Sequence, residues 1–224
     1  MNLLKLSEIL SKYLYQSTIL ILIGSPLSGK TTFSNIALSL NNNIQAISIG
    51  NILKSTIYSD VIFGKFSDYI IKNNKFIDQE LLIILLCLNL KNKKNNIIFD
   101  GFPRTLKQFQ DWSHVLKKCL KIRIVEVQTN VKILKQRIKK RKICSRCFKT
   151  FLDLNICNFC NVKLVRRSDD NVELFNKRYD HYLKELDKIK IFCRNNMFVI
   201  NTIFNNDDLT NFTCSIRKII KKLT

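Results

Sequence analysis

Two rhythms of apolar residues run through this chain. Compact apolar runs at residues 19–23, 44–48, 96–100, 122–127 and 197–201 predict strands buried on both faces. Between them, helical spacing predicts helices at about 31–40, 51–58, 62–72, 78–90, 105–118, 131–142, 170–192 and 207–222. Residues 143–167 follow neither rhythm. Strands separated by helices imply an α/β fold, a parallel five-stranded sheet flanked by helices with its ligands at the carboxyl ends of the strands. A chain of 224 residues can bury one good core and carry a small insert.

The first strand runs into Gly24-Ser25-Pro26-Leu27-Ser28-Gly29-Lys30-Thr31-Thr32, and a helix follows. Strand, Gly-bounded loop with lysine, then helix is the phosphate-cradling P-loop. The loop turns backbone N–H groups toward phosphates, and the helix adds its positive end. Lys30 is placed to reach the β/γ-phosphates, and Thr31 or Thr32 to stand near Mg²⁺. The third strand closes on Asp100-Gly101-Phe102-Pro103-Arg104-Thr105-Leu106-Lys107-Gln108. An aspartate across from a P-loop is the usual partner of Mg²⁺ through water, and Arg104 offers a planar fork to a phosphate. Arg137 and Arg141 share a helix face. Arg166 and Arg167 close the non-helical segment and Arg178 follows it, and Asp170 with Glu173 has capping-box spacing.

The cysteines make a separate case. Cys144-x2-Cys147 and Cys157-x2-Cys160 are paired knuckles, a spacing that fits four thiolates on a structural Zn²⁺. The segment around them has little core of its own, so metal binding would be folding energy. Cys87, Cys119, Cys193 and Cys214 are expected as inert core thiols. His114 and His181 read as structural or exposed, and Trp112 as packing one face of its helix.

A net charge of +21 would suit nucleic acid or an anionic membrane. Lysine, asparagine and isoleucine, however, are abundant everywhere, a composition that AT-rich codons alone produce. No apolar run reaches the ~18 residues of a membrane span. Residues 1–17 lack a compact apolar region and a cleavage site, so they read as an N-terminal helical extension rather than a signal peptide, and a cytoplasmic location follows.

Together these motifs resemble the adenylate kinases of the long-lid, zinc-containing type. The P-loop, Ile47-Ser48-Ile49-Gly50-Asn51-Ile52-Leu53-Lys54, the Asp100-to-Gln108 string and the Arg167-to-Arg178 string stand in that family's order, from about residue 18 to the end. The resemblance implies a P-loop kinase core at 18–47, 78–140 and 168–224, an AMP-binding helical flap at 48–77 and a zinc lid at 141–167. It implies transfer of a phosphoryl group from ATP to AMP with Mg²⁺, giving two ADP, in a monomer that needs no nucleic acid or membrane. Leu27, Ser28, Gly29, Lys30, Thr31 and Thr32 would hold ATP phosphates, with Thr150 and Phe151 beside the ATP base. Ile49, Lys54, Lys75, Phe76 and Ile77 would line the AMP site, where Gly101, Phe102, Pro103 and Arg104 hold the phosphate and Gln108 reads the adenine. Arg137, Arg141, Arg167 and Arg178 would close over the phosphates, and Asp169 and Asp170 would pair with lid arginines.

The chain departs from the family at Leu27, where a glycine is usual, at Ile49, where a threonine faces the adenine, and at Lys54, where an arginine is usual. Glycine permits φ > 0 and leucine resists it, and lysine exchanges a bidentate fork for a point charge. Three other readings compete: a pyrimidine monophosphate kinase, a GTP-dependent AMP kinase, and a nucleic-acid-binding zinc protein that would leave the P-loop without a role.

Overall fold

The computed structural model describes residues 17–53, 79–90, 96–116, 121–167 and 170–223, with 12, 14, 15, 65, 67 and 69 besides. Five parallel strands, β1 (Thr18–Ile23), β2 (Ile44–Ser48), β3 (Asn96–Asp100), β4 (Lys121–Gln128) and β8 (Ile200–Phe204), form a sheet in the order β2-β3-β1-β4-β8. Central β1 is buried along its whole length and alternates cleanly. Ile19, Ile21 and Ile23 join the core on one face, and Leu20 and Leu22 the core on the other. Each such side chain contributes roughly 1.5–3 kcal/mol by leaving water.

Helices α1 (Lys30–Leu40) and α6 (Leu209–Lys221) cover the second face with Phe33, Ala37, Phe212 and Ile216. Helices α2 (Gln79–Asn89), α3 (Leu106–Leu116) and α5 (Val172–Asn195) cover the first with Leu82, Leu86, Phe109, Trp112 and Ile189. Trp112 packs edge-on against Phe99 and Phe102 from one face of α3. Among the described residues no helix is long and apolar enough to cross a membrane.

Helix α4 (Val131–Lys140) stops at Arg141, where the chain enters a second, antiparallel sheet of β5 (Arg141–Ile143), β6 (Thr150–Leu152) and β7 (Val165–Arg166). This is the segment without rhythm.

Three expectations are corrected. The last strand begins at Ile200, because α5 runs on to Asn195 and closes in a turn with Met197 at φ 58, where Phe198 N–H donates to Cys193 O at 2.8 Å. The N-cap of α5 is Asn171, whose side chain accepts from Leu174 N–H at 2.6 Å, not Asp170. Cys214 is exposed, since Phe212, Ile216 and Ile219 carry the apolar stripe of α6 and residue 214 faces away from it, whereas Cys193 is buried as expected. Lys54, Lys75, Phe76, Ile77, Cys119, Asp169 and nearly all of the N-terminal extension lie outside the described residues, as do the side chains of Cys87 and His114.

Candidate functional site

Beyond the carboxyl ends of the five strands lies a cavity of about 510 Å³, within the range of small-molecule sites. The P-loop forms its floor. Thr129 Oγ1 and Asn205 Nδ2 donate to Ser28 O at 3.1 and 2.8 Å, and Arg137 Nη1 donates to Leu27 O at 3.0 Å. These bonds fix two loop carbonyls toward Thr129, Asn205 and Arg137. A trans peptide sets N–H opposite C=O, so the Gly29 N–H points the other way. Gly29 sits at φ 99, and a Cβ there would meet Asn205 Nδ2 at 2.0 Å, so only glycine fits. It also caps α1 with no side-chain bond, which leaves the helix's first N–H groups for an anion. Leu27 adopts φ 67, the strained region expected from its departure, and packs beside Leu134, Ile138 and Phe175.

Lys30 Nζ donates to Gly24 O at 2.8 Å and Ser25 O at 2.7 Å. Burial pulls its pKa down to about 8, with Asp100 opposing and Arg104 and Arg141 assisting. Register sets Asp100 beside Leu22, at the mouth of the P-loop. There its Oδ2 accepts from Thr31 Oγ1 at 2.7 Å, which selects Thr31 over Thr32 as the hydroxyl that faces the carboxylate.

Gly101, Phe102, Pro103, Arg104 and Gln108 line the cavity at the next loop, as does Ile49, which is also packed into the core. Arg104 Nε donates to Gly101 O at 2.6 Å, and Arg104 N–H donates to Gln108 Oε1 at 2.7 Å. That bond fixes the Gln108 carboxamide. Desolvation within the cavity wall lowers the pKa of Arg104, and Arg178 and Arg167 lower it further against Asp100. These cations are held near one another, a state that a polyanion relieves.

Arg141, Arg167 and Arg178 line the same cavity. Arg141 forms a two-point ion pair with Asp170, Nε to Oδ2 at 2.7 Å, which ties the start of the small sheet to the approach to α5. Arg137 is 7% exposed and is committed to protein acceptors. It donates to Leu27 O, to Asn205 O and Oδ1 at 3.1 Å each, and to Asp207 Oδ1 at 2.6 Å. It thus clamps the P-loop to the loop after β8.

Sequence reasoning missed Asn205 and Asp207. A polar run at the carboxyl end of a parallel strand is the signal that could have found them. It also missed buried Glu126, which accepts from Gln128 at 2.9 Å and Thr202 at 3.2 Å and pairs with Lys190 at 2.9 Å beneath the cavity. Burial, then Glu126, raises the pKa of Tyr182, which lines the cavity above.

In the small sheet, the Sγ atoms of Cys144, Cys147, Cys157 and Cys160 all lie within 4.8 Å of one another. A tetrahedral zinc with bonds of about 2.3 Å sets sulfurs about 3.8 Å apart, so the four fit that ion. The two knuckles share a fold: Phe148 N–H donates to Cys144 O, Asn161 N–H to Cys157 O, and both residues take positive φ. At Cys144, burial raises the thiol pKa, but the N–H groups of Cys147 and Arg146 together with the Cys147 and Cys157 thiols outweigh it and bring it to about 7. Thr150, Phe151 and Leu152 reach from this sheet into the cavity wall, which Thr31 and Thr32 also line.

A model of the adenylate kinase family matches residues 22–196. The chain is 29% identical to the adenylate kinase of Borrelia recurrentis, over 91% of this chain and 97% of that protein. It is 29% identical to the adenylate kinase of Pelagibacter ubique, over 89% of this chain and 99% of that one. It is 28% identical to a GTP:AMP phosphotransferase of Plasmodium falciparum, over 80% and 86%.

Proposed function

The chain belongs to the adenylate kinase family, and on that footing we propose that its cavity carries out ATP + AMP ⇌ 2 ADP with the residues named above. The observation that carries this reading is the convergence of Lys30, Arg104, Arg141, Arg167 and Arg178 on one cavity beside Asp100. Phosphoryl transfer asks for positioning and neutralisation of charge rather than covalent chemistry. The P-loop amides and Lys30 hold the donor phosphates, and Gly101 to Arg104 hold the acceptor phosphate in line with them. Arg141, Arg167 and Arg178 neutralise the equatorial oxygens. Asp100 and Thr31 would hold Mg²⁺, which would supply positive charge to screen the donor phosphates.

Gln108 presents its amide to the acceptor base, and Thr150 and Phe151 flank the donor base. Ile49, Lys54 and residues 75–77 complete the acceptor flap within 48–77, and residues 141–167 form the lid. Closure of both excludes water that would otherwise hydrolyse the donor. Arg137 acts as a positioning residue: it sets the P-loop through Leu27 O and Asn205. Cys144, Cys147, Cys157 and Cys160 would hold Zn²⁺, which supplies the cross-link that folds the lid. Every group named belongs to one chain, so a monomer suffices.

The test is the ADP-forming rate of the Lys30→Ala and Arg104→Ala variants. Pre-aimed cations and donors contribute about 3–4 kcal/mol in such transition states, so each variant should lose at least about a hundredfold in turnover while remaining folded. A folded variant with near-normal turnover overturns the role of that residue.

A further inference from the structure

Helix α5 lines the cavity with Arg178, His181, Tyr182, Leu186 and Ile189, which recur at helical spacing. Glu185 is not among the residues that line it and turns instead to α3. Its Oε2 accepts from Leu106 N–H at 2.8 Å, and its Oε1 accepts from Lys188 Nζ at 3.0 Å. The side chain is 15% exposed, and both oxygens have protein partners. Burial pushes its carboxyl pKa up, but the Leu106 N–H, then Lys188 and His181, outweigh it and hold the group below its ordinary value. Glu185 is therefore a carboxylate at neutral pH.

Leu106 is the first residue of α3, and the opening N–H groups of a helix have no acceptor inside it. Two of the groups at this end are closed locally. Thr105 Oγ1 accepts from Gln108 N–H at 3.2 Å, and Gln108 Oε1 reaches back to Arg104 N–H at 2.7 Å. This is a capping box whose return bond falls one residue early. It sets the Arg104 main chain and the Gln108 carboxamide together. The Leu106 N–H, between them, is held by a carboxylate 79 positions away in sequence. A negative charge also suits the positive end of the α3 dipole.

The same two elements carry like charges that oppose their approach. Arg178 of α5 is near enough to Arg104 to disfavour its charged form. Glu185 lies about two turns along α5 from Arg178, and it grips the chain two residues after Arg104. Its bond to Leu106 thus resists the repulsion between the two arginines. We propose that Glu185 is a positioning residue for the acceptor nucleotide: by holding Leu106 N–H it sets Arg104 and Gln108 relative to Arg178, and so sets the affinity and selectivity for AMP while leaving the donor site alone. The inference rests on the AMP-phosphorylating reading above and adds to it the residue that fixes the acceptor geometry.

The experiment measures KM for AMP and for ATP, and the AMP:CMP ratio of kcat/KM, in the natural chain, Glu185→Leu and Glu185→Gln, with Mg²⁺ present and well below each protein's melting temperature. In Glu185→Leu the KM for AMP should rise about tenfold, the loss expected for one hydrogen bond to a charged group, while the KM for ATP stays within about twofold. The AMP:CMP ratio should fall about threefold or more, because Gln108 is no longer held square to the base. Glutamine keeps an acceptor oxygen for Leu106 N–H, so Glu185→Gln should recover part of the loss, with a KM for AMP about threefold above the natural value. A purely structural role lowers the melting temperature and leaves these ratios unmoved. A rise in AMP KM of under about threefold in folded Glu185→Leu, or an equal rise for ATP, overturns the proposal and leaves AMP phosphorylation standing. If Glu185→Leu does not fold, Glu185→Gln decides: an AMP KM and an AMP:CMP ratio equal to those of the natural chain overturn the proposal. Failure of the natural chain to phosphorylate AMP overturns the wider reading and this one with it.

Discussion

Thr31 and Asp100, 69 positions apart in sequence, meet through a 2.7 Å hydrogen bond from hydroxyl to carboxylate. One ends the turn of the P-loop and the other ends β3, and the parallel pairing of β1 with β3 brings them together. Their shared site is where Mg²⁺ would be held. Hydrogen bonds to charged groups contribute about 1.5–3 kcal/mol. Thr31→Val should therefore lower kcat/KM about tenfold to a hundredfold, and Asp100→Asn should do the same. The double variant should lose far less than the product of the two, because the pair acts as one unit. Strictly additive losses in a double-mutant cycle would show that the two side chains work separately.

Arg137 should matter to stability before it matters to chemistry. Its removal leaves Leu27 O and the Asn205 acceptors without a donor. Each buried orphan costs about 1–3 kcal/mol. Arg137→Ala should lose about 2–4 kcal/mol in urea unfolding of the nucleotide-free protein. A loss under about 0.5 kcal/mol would mean that the clamp is not what holds the P-loop.

Much of this site could be read in the sequence. The five strands, the P-loop and the Asp100-to-Gln108 string are local patterns, and local patterns survive folding. What could not be read depends on long-range contacts. Nothing in the spacing distinguishes Thr31 from Thr32, because the choice is made by Asp100 on another strand. Arg137 and Arg141 look alike on one helix face, yet one turns to Asn205 and Asp207 and the other to Asp170. The strand β8 starts later than its apolar run suggests because Met197 and Val199 are apolar but exposed, and Met197 and Phe198 are held in the turn that closes α5.

Lys30 should report nucleotide binding through protons. Burial first, then Arg104 and Arg141 against Asp100, lowers its folded pKa from 10.5 to about 8. Between about pH 8 and 10.5 the unfolded chain binds the extra proton and the folded one does not, so this group's contribution to stability rises with pH across that window. Below pH 8 the buried charge is a full cost. A triphosphate beside Lys30 restores the charged form. Titration calorimetry at pH 9 in buffers of different ionisation enthalpy should show proton uptake on ATP binding, absent near pH 6.5 and absent in Lys30→Met. Equal uptake in Lys30→Met would assign the proton elsewhere.

The lid should depend on its metal. One Zn²⁺ per chain is expected by elemental analysis, and strong chelators or Cys144→Ser should melt the segment 141–167 at lower temperature. The five-stranded core has its own packing and should unfold later. A metal-free preparation whose melting is unchanged by Cys144→Ser would remove zinc from the description.

The acceptor specificity tests the central claim most directly. Initial rates with ATP as donor should be compared for AMP, UMP, CMP and GMP in turn. Gln108, held by Arg104 N–H, leaves its amide nitrogen to donate to a base, and adenine N1 or N7 can accept. AMP should be the best acceptor, with UMP and CMP at least about tenfold poorer in kcat/KM, as expected when a polar reader is left unpaired. Preferential phosphorylation of UMP or CMP, or no transfer to AMP at all, would contradict the assignment.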